Sequence, residues 1–303
     1  MKILFMGTPN FAQIILEALL NDPYFEVVGL FAQPDKPFGR KQEIRYPQTK
    51  ELLLKKNISI PIFQPEVLDE KSVKNISDLK PDIILVVAYG KILPKKILSL
   101  ARCLNIHASL LPKYRGASPI QEMILNDEEF YGICVIDMEE RLDSGNILGK
   151  IEFKREKYFN IEYLSNILAQ MGSALIVDVL KNLRTIQSVK QDDSLSTYCK
   201  KIVKQDGIIE FDEAKKIYLK FLAYFNWPGI FLRSGLKLFD IGLISETNCY
   251  QRGEILDIKD NSIFVGCSFG ILRIGMLQSP GRQKTYARNY IQGKRLKIGD
   301  LLI

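Results

Sequence analysis

The apolar positions along this chain follow two regimes. In the first, short unbroken apolar runs alternate with segments whose apolar residues recur every three or four positions. Residues 2–7 and 25–32 read as buried strands, separated by an amphipathic helix over 11–20. Thr8 is placed to cap that helix, and Pro9 suits its first position. Strand, helix and strand make a βαβ unit. Helices are predicted over 46–56, 69–79 and 93–100, with a strand at 60–64. The run 83–88 is rich in β-branched residues and unalternating, as expected of a central parallel strand covered on both faces. A strand ending at His107, a helix over 118–125, strands over 131–139 and 146–153, and a long helix over 161–183 complete the regime. The alternation predicts a doubly wound, mostly parallel α/β domain of Rossmann-like type over 1–187.

The second regime is different. Residues 188–206 are polar and aperiodic and read as a linker. A helix over 212–225 then precedes short strands at 231–233, 236–244, 253–259, 262–267 and 270–277. Asp260-Asn261 and residues 268–270 punctuate the hairpins. This predicts a small β-barrel of the oligonucleotide-binding (OB) type over 207–303.

Composition narrows the function classes. Of 303 residues, 47% are apolar and 25% charged, which is ordinary for a globular protein with a proper core. Glycine and proline come too early for a secretory signal, and no apolar run approaches the ~20 residues of a membrane span. Five scattered cysteines (Cys103, Cys134, Cys199, Cys249, Cys267) lack any C-x-x-C pair and accompany a single histidine. Neither a disulfide framework nor a zinc site is expected, and the expected address is a reducing cytoplasm.

Charge adds a partner. The net charge is +7, concentrated late: Arg273, Arg282, Lys284, Arg288, Lys294, Arg295 and Lys297 face Asp300 alone. Tyr286 and Tyr290 are interleaved, a composition that suits a phosphate-rich partner or a solvated face. A second basic stretch, the proline-rich loop over 33–42, carries Lys36, Arg40 and Lys41. It is too polar to be core.

Candidate chemistry centres on the only histidine. Asn105 and His107 end a short apolar run and, two apart in a strand, point to one face. Such a histidine is either a core residue satisfied by a backbone group or an acid–base group beside a hydrogen-bond donor. Asp143, in Leu142-Asp143-Ser144-Gly145, is either a turn-former or the carboxylate that completes the site. A dinucleotide fingerprint is excluded because Gly7 stands alone, with Pro9 and Phe11 where small residues are needed. No phosphate-binding Gly-Lys-Ser/Thr motif and no nucleophile elbow occur, so the chemistry reads as direct transfer without a covalent intermediate.

These pieces together resemble a known family. Gly7-Thr8-Pro9-Asn10-Phe11-Ala12, the loop Gln33-Pro34-Asp35-Lys36-Pro37 through Arg40, and Asn105-Ile106-His107 all match. So do Ser109-Leu110-Leu111-Pro112-Lys113-Tyr114-Arg115-Gly116, Leu142-Asp143-Ser144-Gly145, Lys200-Lys201-Ile202 to Asp206-Gly207, and Trp227-Pro228-Gly229. Over essentially its whole length the chain is similar to the folate-dependent formyltransferases that act on methionyl-tRNA. The resemblance implies 10-formyltetrahydrofolate as donor and the α-amino group of initiator methionyl-tRNA as acceptor. It implies Asn105, His107 and Asp143 as catalytic residues, and Ser109, Leu110, Leu111 and Pro112, with Tyr89 and Gly90, as the folate pocket. Lys36, Arg40, Lys41, Lys201 and Lys204 become the tRNA contacts. No metal and no membrane partner are expected, and the chain is expected to be a monomer. Amino-sugar nucleotide formyltransferases share the first-domain motifs and are the nearest alternative. A non-catalytic RNA-binding protein is the alternative from another class.

Overall fold

The unbroken apolar runs become the middle of one sheet. The computed structural model describes residues 1–38 and 42–303. Arg40 and Lys41, two of the expected tRNA charges, lie outside the described residues. Two units emerge: the first comprises 1–119, 129–155 and 165–200, and the second 120–128, 156–164 and 201–303.

In chain order the chain forms β1 (Lys2–Gly7), α1 (Asn10–Asn21), β2 (Glu26–Phe31), β3 (Lys36–Phe38) and β4 (Glu43–Arg45). Then come α2 (Gln48–Lys55), β5 (Ile62–Phe63), α3 (Glu70–Leu79), β6 (Ile83–Val87) and α4 (Lys95–Leu98). They are followed by β7 (Arg102–His107), β8 (Arg115–Gly116), α5 (Pro119–Leu125), β9 (Phe130–Asp137), β10 (Ile147–Lys154), α6 (Ile161–Lys181) and β11 (Tyr198–Cys199). Seven strands make one sheet in the order β10-β9-β7-β6-β1-β2-β5. The five strands from β5 to β7 are parallel, and β9 and β10 are antiparallel additions at the β7 edge. Every residue of β6 is buried, as is every residue of β1 after Lys2. A strand covered on both faces has no solvent side to mark, which is why these runs do not alternate.

Local chemistry moves some boundaries. Thr8 does not cap α1; its hydroxyl accepts the Gln33 N–H at 3.1 Å, tying the end of β1 to the end of β2. Pro9 is itself the N-cap residue, with ψ at 176°, so the helix starts at Asn10 and Pro9 is not its first helical position. At the basic loop, β3 and β4 form an antiparallel strand pair, with Lys36 opposite Arg45 and Phe38 opposite Glu43. Its base is pinned where Lys50 bonds Asp35 at 2.6 Å and Gln64 donates to both Asp35 and the Gln33 carbonyl. Burial pushes the Asp35 carboxyl up, but the bonds from Lys50 and Gln64 outweigh it and hold it below the usual range.

The second unit contains α7 (Ala214–Ala223), β12 (Ile230–Phe231), β13 (Lys237–Ser245), β14 (Ile255–Lys259), β15 (Ser262–Gly266), β16 (Ile271–Gln278), β17 (Thr285–Tyr286) and α8 (Ala287–Gly293). Its antiparallel sheet runs β12-β13-β16-β15-β14, with β17 also on β16. Inward residues such as Leu238, Ile263, Val265, Leu272 and Ile274 form a core of their own. Here the alternation is visible, because one face of each strand meets solvent. Part of the late positive charge is internally matched: Arg273 makes a two-pronged bond to Asp240, at 2.7 and 3.0 Å.

Candidate active site

Ligands of open α/β sheets bind beyond the carboxyl ends of parallel strands, and β7 delivers Asn105 and His107 to such an end. Asn105 lies between Val86 of β6 and Ile136 of β9, and His107 opposite Cys134 of β9, which fixes the height of both residues. His107 is 95% buried and Asn105 half-buried.

Asp143 comes from the turn after β9. Its backbone is left-handed (φ +50°), a region aspartate tolerates better than most residues. The turn closes through Gly145, where a Cβ would lie 1.7 Å from the Asp137 carbonyl oxygen, so no side chain fits. The Asp143 carboxylate is thereby brought back over the strand end. Its Oδ1 accepts from Asn105 Nδ2 at 3.2 Å and its Oδ2 from the Gly116 N–H at 2.8 Å. Asp143 is thus not satisfied within its own turn.

His107 combines the two readings open to it. Nε2 lies 2.8 Å from the Tyr114 carbonyl oxygen, so one nitrogen is satisfied by backbone. Nδ1 lies 3.6 Å from Asp143 Oδ2. The Tyr114 carbonyl accepts only, so Nε2 carries a proton by the logic of the hydrogen bond. Tyr114 (φ +63°) and Gly116 (φ +120°) shape the turn that presents this carbonyl and the Gly116 N–H.

The expected folate segment follows directly. Ser109 is fully buried and its hydroxyl donates to the Lys113 carbonyl at 2.7 Å, closing the turn that holds residues 109–113. Leu110 packs so closely on Gly132 that a Cβ there would meet its methyl at 2.3 Å. Leu111 is buried and Pro112 half-buried, joined by a cis peptide. Tyr89 and Gly90 follow β6, adjacent to β7. The Tyr89 side chain points into the core, where burial pushes the phenol up to about 12. What Tyr89 offers a ligand is therefore backbone, and its carbonyl already accepts from Gln33 Nε2 at 2.8 Å. Among the described residues, no group of three or more His, Cys, Asp and Glu side chains gathers to hold a metal ion. Lys36 is exposed on β3, and Lys201 and Lys204 are exposed in the second unit.

A layer behind the site was not assigned a role from sequence. Arg115 is completely buried. It donates through Nε and Nη2 to Gln191 Oε1 (3.1 and 2.8 Å), through Nη2 to Asp193 (2.8 Å) and through Nη1 to the Tyr198 hydroxyl (3.3 Å). Burial works against its charge, but the Tyr198 and Asp193 bonds prevail and its pKa is raised. Arg115 in turn draws the Tyr198 phenol below its ordinary value. Parallel pairing of β8 with β11 holds this layer together. Arg115 stood within a matched motif, whereas Gln191 lay in a polar, aperiodic stretch that carried no signal.

Comparison with known proteins finds relatives over both parts of the chain. The formyl transferase family matches residues 1–180, and the formyl transferase C-terminal domain matches residues 201–295. The methionyl-tRNA formyltransferase of Helicobacter pylori is 52% identical over 302 residues, covering all of both chains. Among solved structures, the methionyl-tRNA formyltransferase of Clostridium thermocellum superimposes with a TM-score of 0.59 at 19% identity, over 80% of this chain and 94% of its own. HypX from Aquifex aeolicus in complex with tetrahydrofolic acid gives a TM-score of 0.64 at 15% identity, over 99% of this chain. This chain spans about half of HypX (48%), and at these identities both structures attest the fold alone.

Proposed function

The chain belongs to the methionyl-tRNA formyltransferase family, and on that premise we propose that Asn105, His107 and Asp143 carry its transfer centre. The enzyme moves a formyl group onto the α-amino group of the methionine carried by initiator tRNA. The donor is 10-formyltetrahydrofolate, seated by backbone groups of 109–112 and 89–90. The observation that carries the reading is the Asp143 carboxylate, bonded to Asn105 and 3.6 Å from His107 at one strand end.

The chemistry follows from those groups. The methionyl amine attacks the formyl carbon, forming a C–N bond and a tetrahedral oxyanion. Asn105 has two amide hydrogens; one goes to Asp143 and the other is free for the oxyanion. His107 supplies the second donor, its Nε2 exchanging the Tyr114 carbonyl for the developing oxyanion. Removing one such donor typically costs ~10²–10³ in rate. Asp143 orients the imidazole and assists removal of the amine proton. The intermediate collapses by breaking the bond from the formyl carbon to N10 of the folate, which takes up a proton as it leaves.

On the acceptor side, Lys36, Arg40 and Lys41 of the basic loop sequence, with Lys201 and Lys204, supply phosphate contacts whose contribution falls with salt. The test supplies 10-formyltetrahydrofolate with charged initiator tRNA or with an amino-sugar nucleotide and follows formyl transfer. Transfer to the tRNA, lost in His107→Ala with tRNA affinity retained, is expected. Equal loss of affinity would make His107 a structural residue.

A further inference from the structure

We infer that Gln191 is a positioning residue for the transfer, acting by clamping the turn that carries Asp143. The inference rests on the reading of Asp143 as part of the transfer centre.

The geometry is specific. Gln191 is 94% buried, and both ends of its amide are fully used. Nε2 donates to the Asp143 carbonyl at 2.8 Å and to the Gly145 carbonyl at 2.7 Å. Oε1 accepts the two bonds from Arg115. One side chain, 48 positions from Asp143, therefore holds both carbonyls of the turn against a buried guanidinium.

The clamp has a job that the turn cannot do alone. Asp143 is left-handed, a conformation that strains a non-glycine residue and has to be held by its surroundings. Its carboxylate must meet Asn105, Gly116 and His107 together, so a small rotation of the turn breaks all three relationships. A misplacement of about 1 Å at a reacting centre can cost ~10²-fold in rate. Arg115 precedes Gly116, whose N–H binds Asp143 Oδ2. The same guanidinium thus anchors the residues on both sides of the carboxylate, directly through its own backbone and indirectly through Gln191. Val189, two residues before Gln191, exchanges backbone bonds with Ile147 at 2.8 Å in both directions, so the segment carrying the clamp is fixed to the start of β10.

Gln191→Glu separates the clamp from general support. The carboxylate keeps an acceptor for Arg115 but presents oxygens, not N–H groups, to the two carbonyls. In the full-length enzyme, with charged initiator tRNA and 10-formyltetrahydrofolate, kcat should fall about 10-fold or more while both KM values stay within about twofold. In an Asp143→Ala background the same substitution should change the residual kcat by less than about twofold, because it acts through Asp143. An unchanged kcat in the parent, or equal losses in both backgrounds, overturns the inference. If Gln191→Glu does not fold, Gln191→Met, which keeps the shape and loses every bond, is read by the same two criteria. A fully active Asp143→Ala enzyme overturns the transfer-centre reading, and this inference with it. An inactive Asp143→Ala enzyme beside a fully active Gln191→Glu enzyme overturns this inference alone.

Discussion

The side-chain amide of Asn105 donates to Oδ1 of Asp143 at 3.2 Å, across 38 positions of chain. The bond joins a strand residue to a turn residue and leaves one amide hydrogen of Asn105 for another acceptor. Asn105→Asp keeps the shape but deletes both donors and sets one carboxylate against another. Two close carboxylates disfavour joint ionisation, so the variant should resist rescue at higher pH. We expect turnover to drop by at least ~10², measured as initial formylation rates. An Asn105→Asp enzyme of near-normal rate would remove Asn105 from the mechanism.

Gly116 supplies a backbone donor to the same carboxylate. Its φ is +120°, and a Cβ there would lie 2.2 Å from the Cys199 carbonyl oxygen. Gly116→Ala must therefore part β8 from β11 and withdraw the N–H from Asp143 Oδ2. Stability should fall by about 2 kcal/mol or more, since both strain and a close backbone contact are imposed. Turnover should fall with it. Denaturant unfolding and initial rates would check both, and unchanged stability would contradict the packing described for this turn.

The parts legible in the sequence were those with a local signature. Buried strands announced themselves as unalternating runs, and Asn105 and His107 as a two-residue spacing at a strand end. The pairing of β3 with β4 was not legible, because each strand is only three residues long. Nor was the helix start at Asn10, since Thr8 bonds Gln33 through tertiary geometry that no local pattern shows. Gln191 illustrates the general limit. Its partners Arg115, Asp143 and Gly145 lie 76, 48 and 46 positions away, and a polar residue in a polar stretch looks the same buried or solvated.

Asp193 gives the acid limb of stability a specific contributor. The Arg115 bond, against the cost of burial and with help from Arg141, holds its carboxyl below the usual aspartate range. A carboxyl depressed in the folded state adds stability above its unfolded pKa, lost as pH falls through the folded value. The thermal midpoint should therefore decline as pH is lowered below the ordinary aspartate range of about 4. Asp193→Asn should make that decline shallower while lowering the midpoint at neutral pH. Melting curves from pH 7 downward test this, and identical acid limbs would show that the ion pair is screened to insignificance.

Tyr89 makes the opposite kind of prediction, a stabilising substitution. Its hydroxyl is the one buried side-chain N or O atom among the described residues without a hydrogen-bond partner. It sits in the cluster of Leu4, Met6, Phe31, Ile76, Ile84 and Leu93. Leaving a buried hydroxyl unpaired costs about 1–3 kcal/mol, and Phe fills the same space without it. Tyr89→Phe should raise stability by about 1 kcal/mol, read as a higher midpoint in denaturant unfolding. The ring's packing is retained, so no cavity term opposes the gain. A lower midpoint would mean that the hydroxyl has a partner, such as a buried water, and that this wall of the core is wetter than its apolar lining implies.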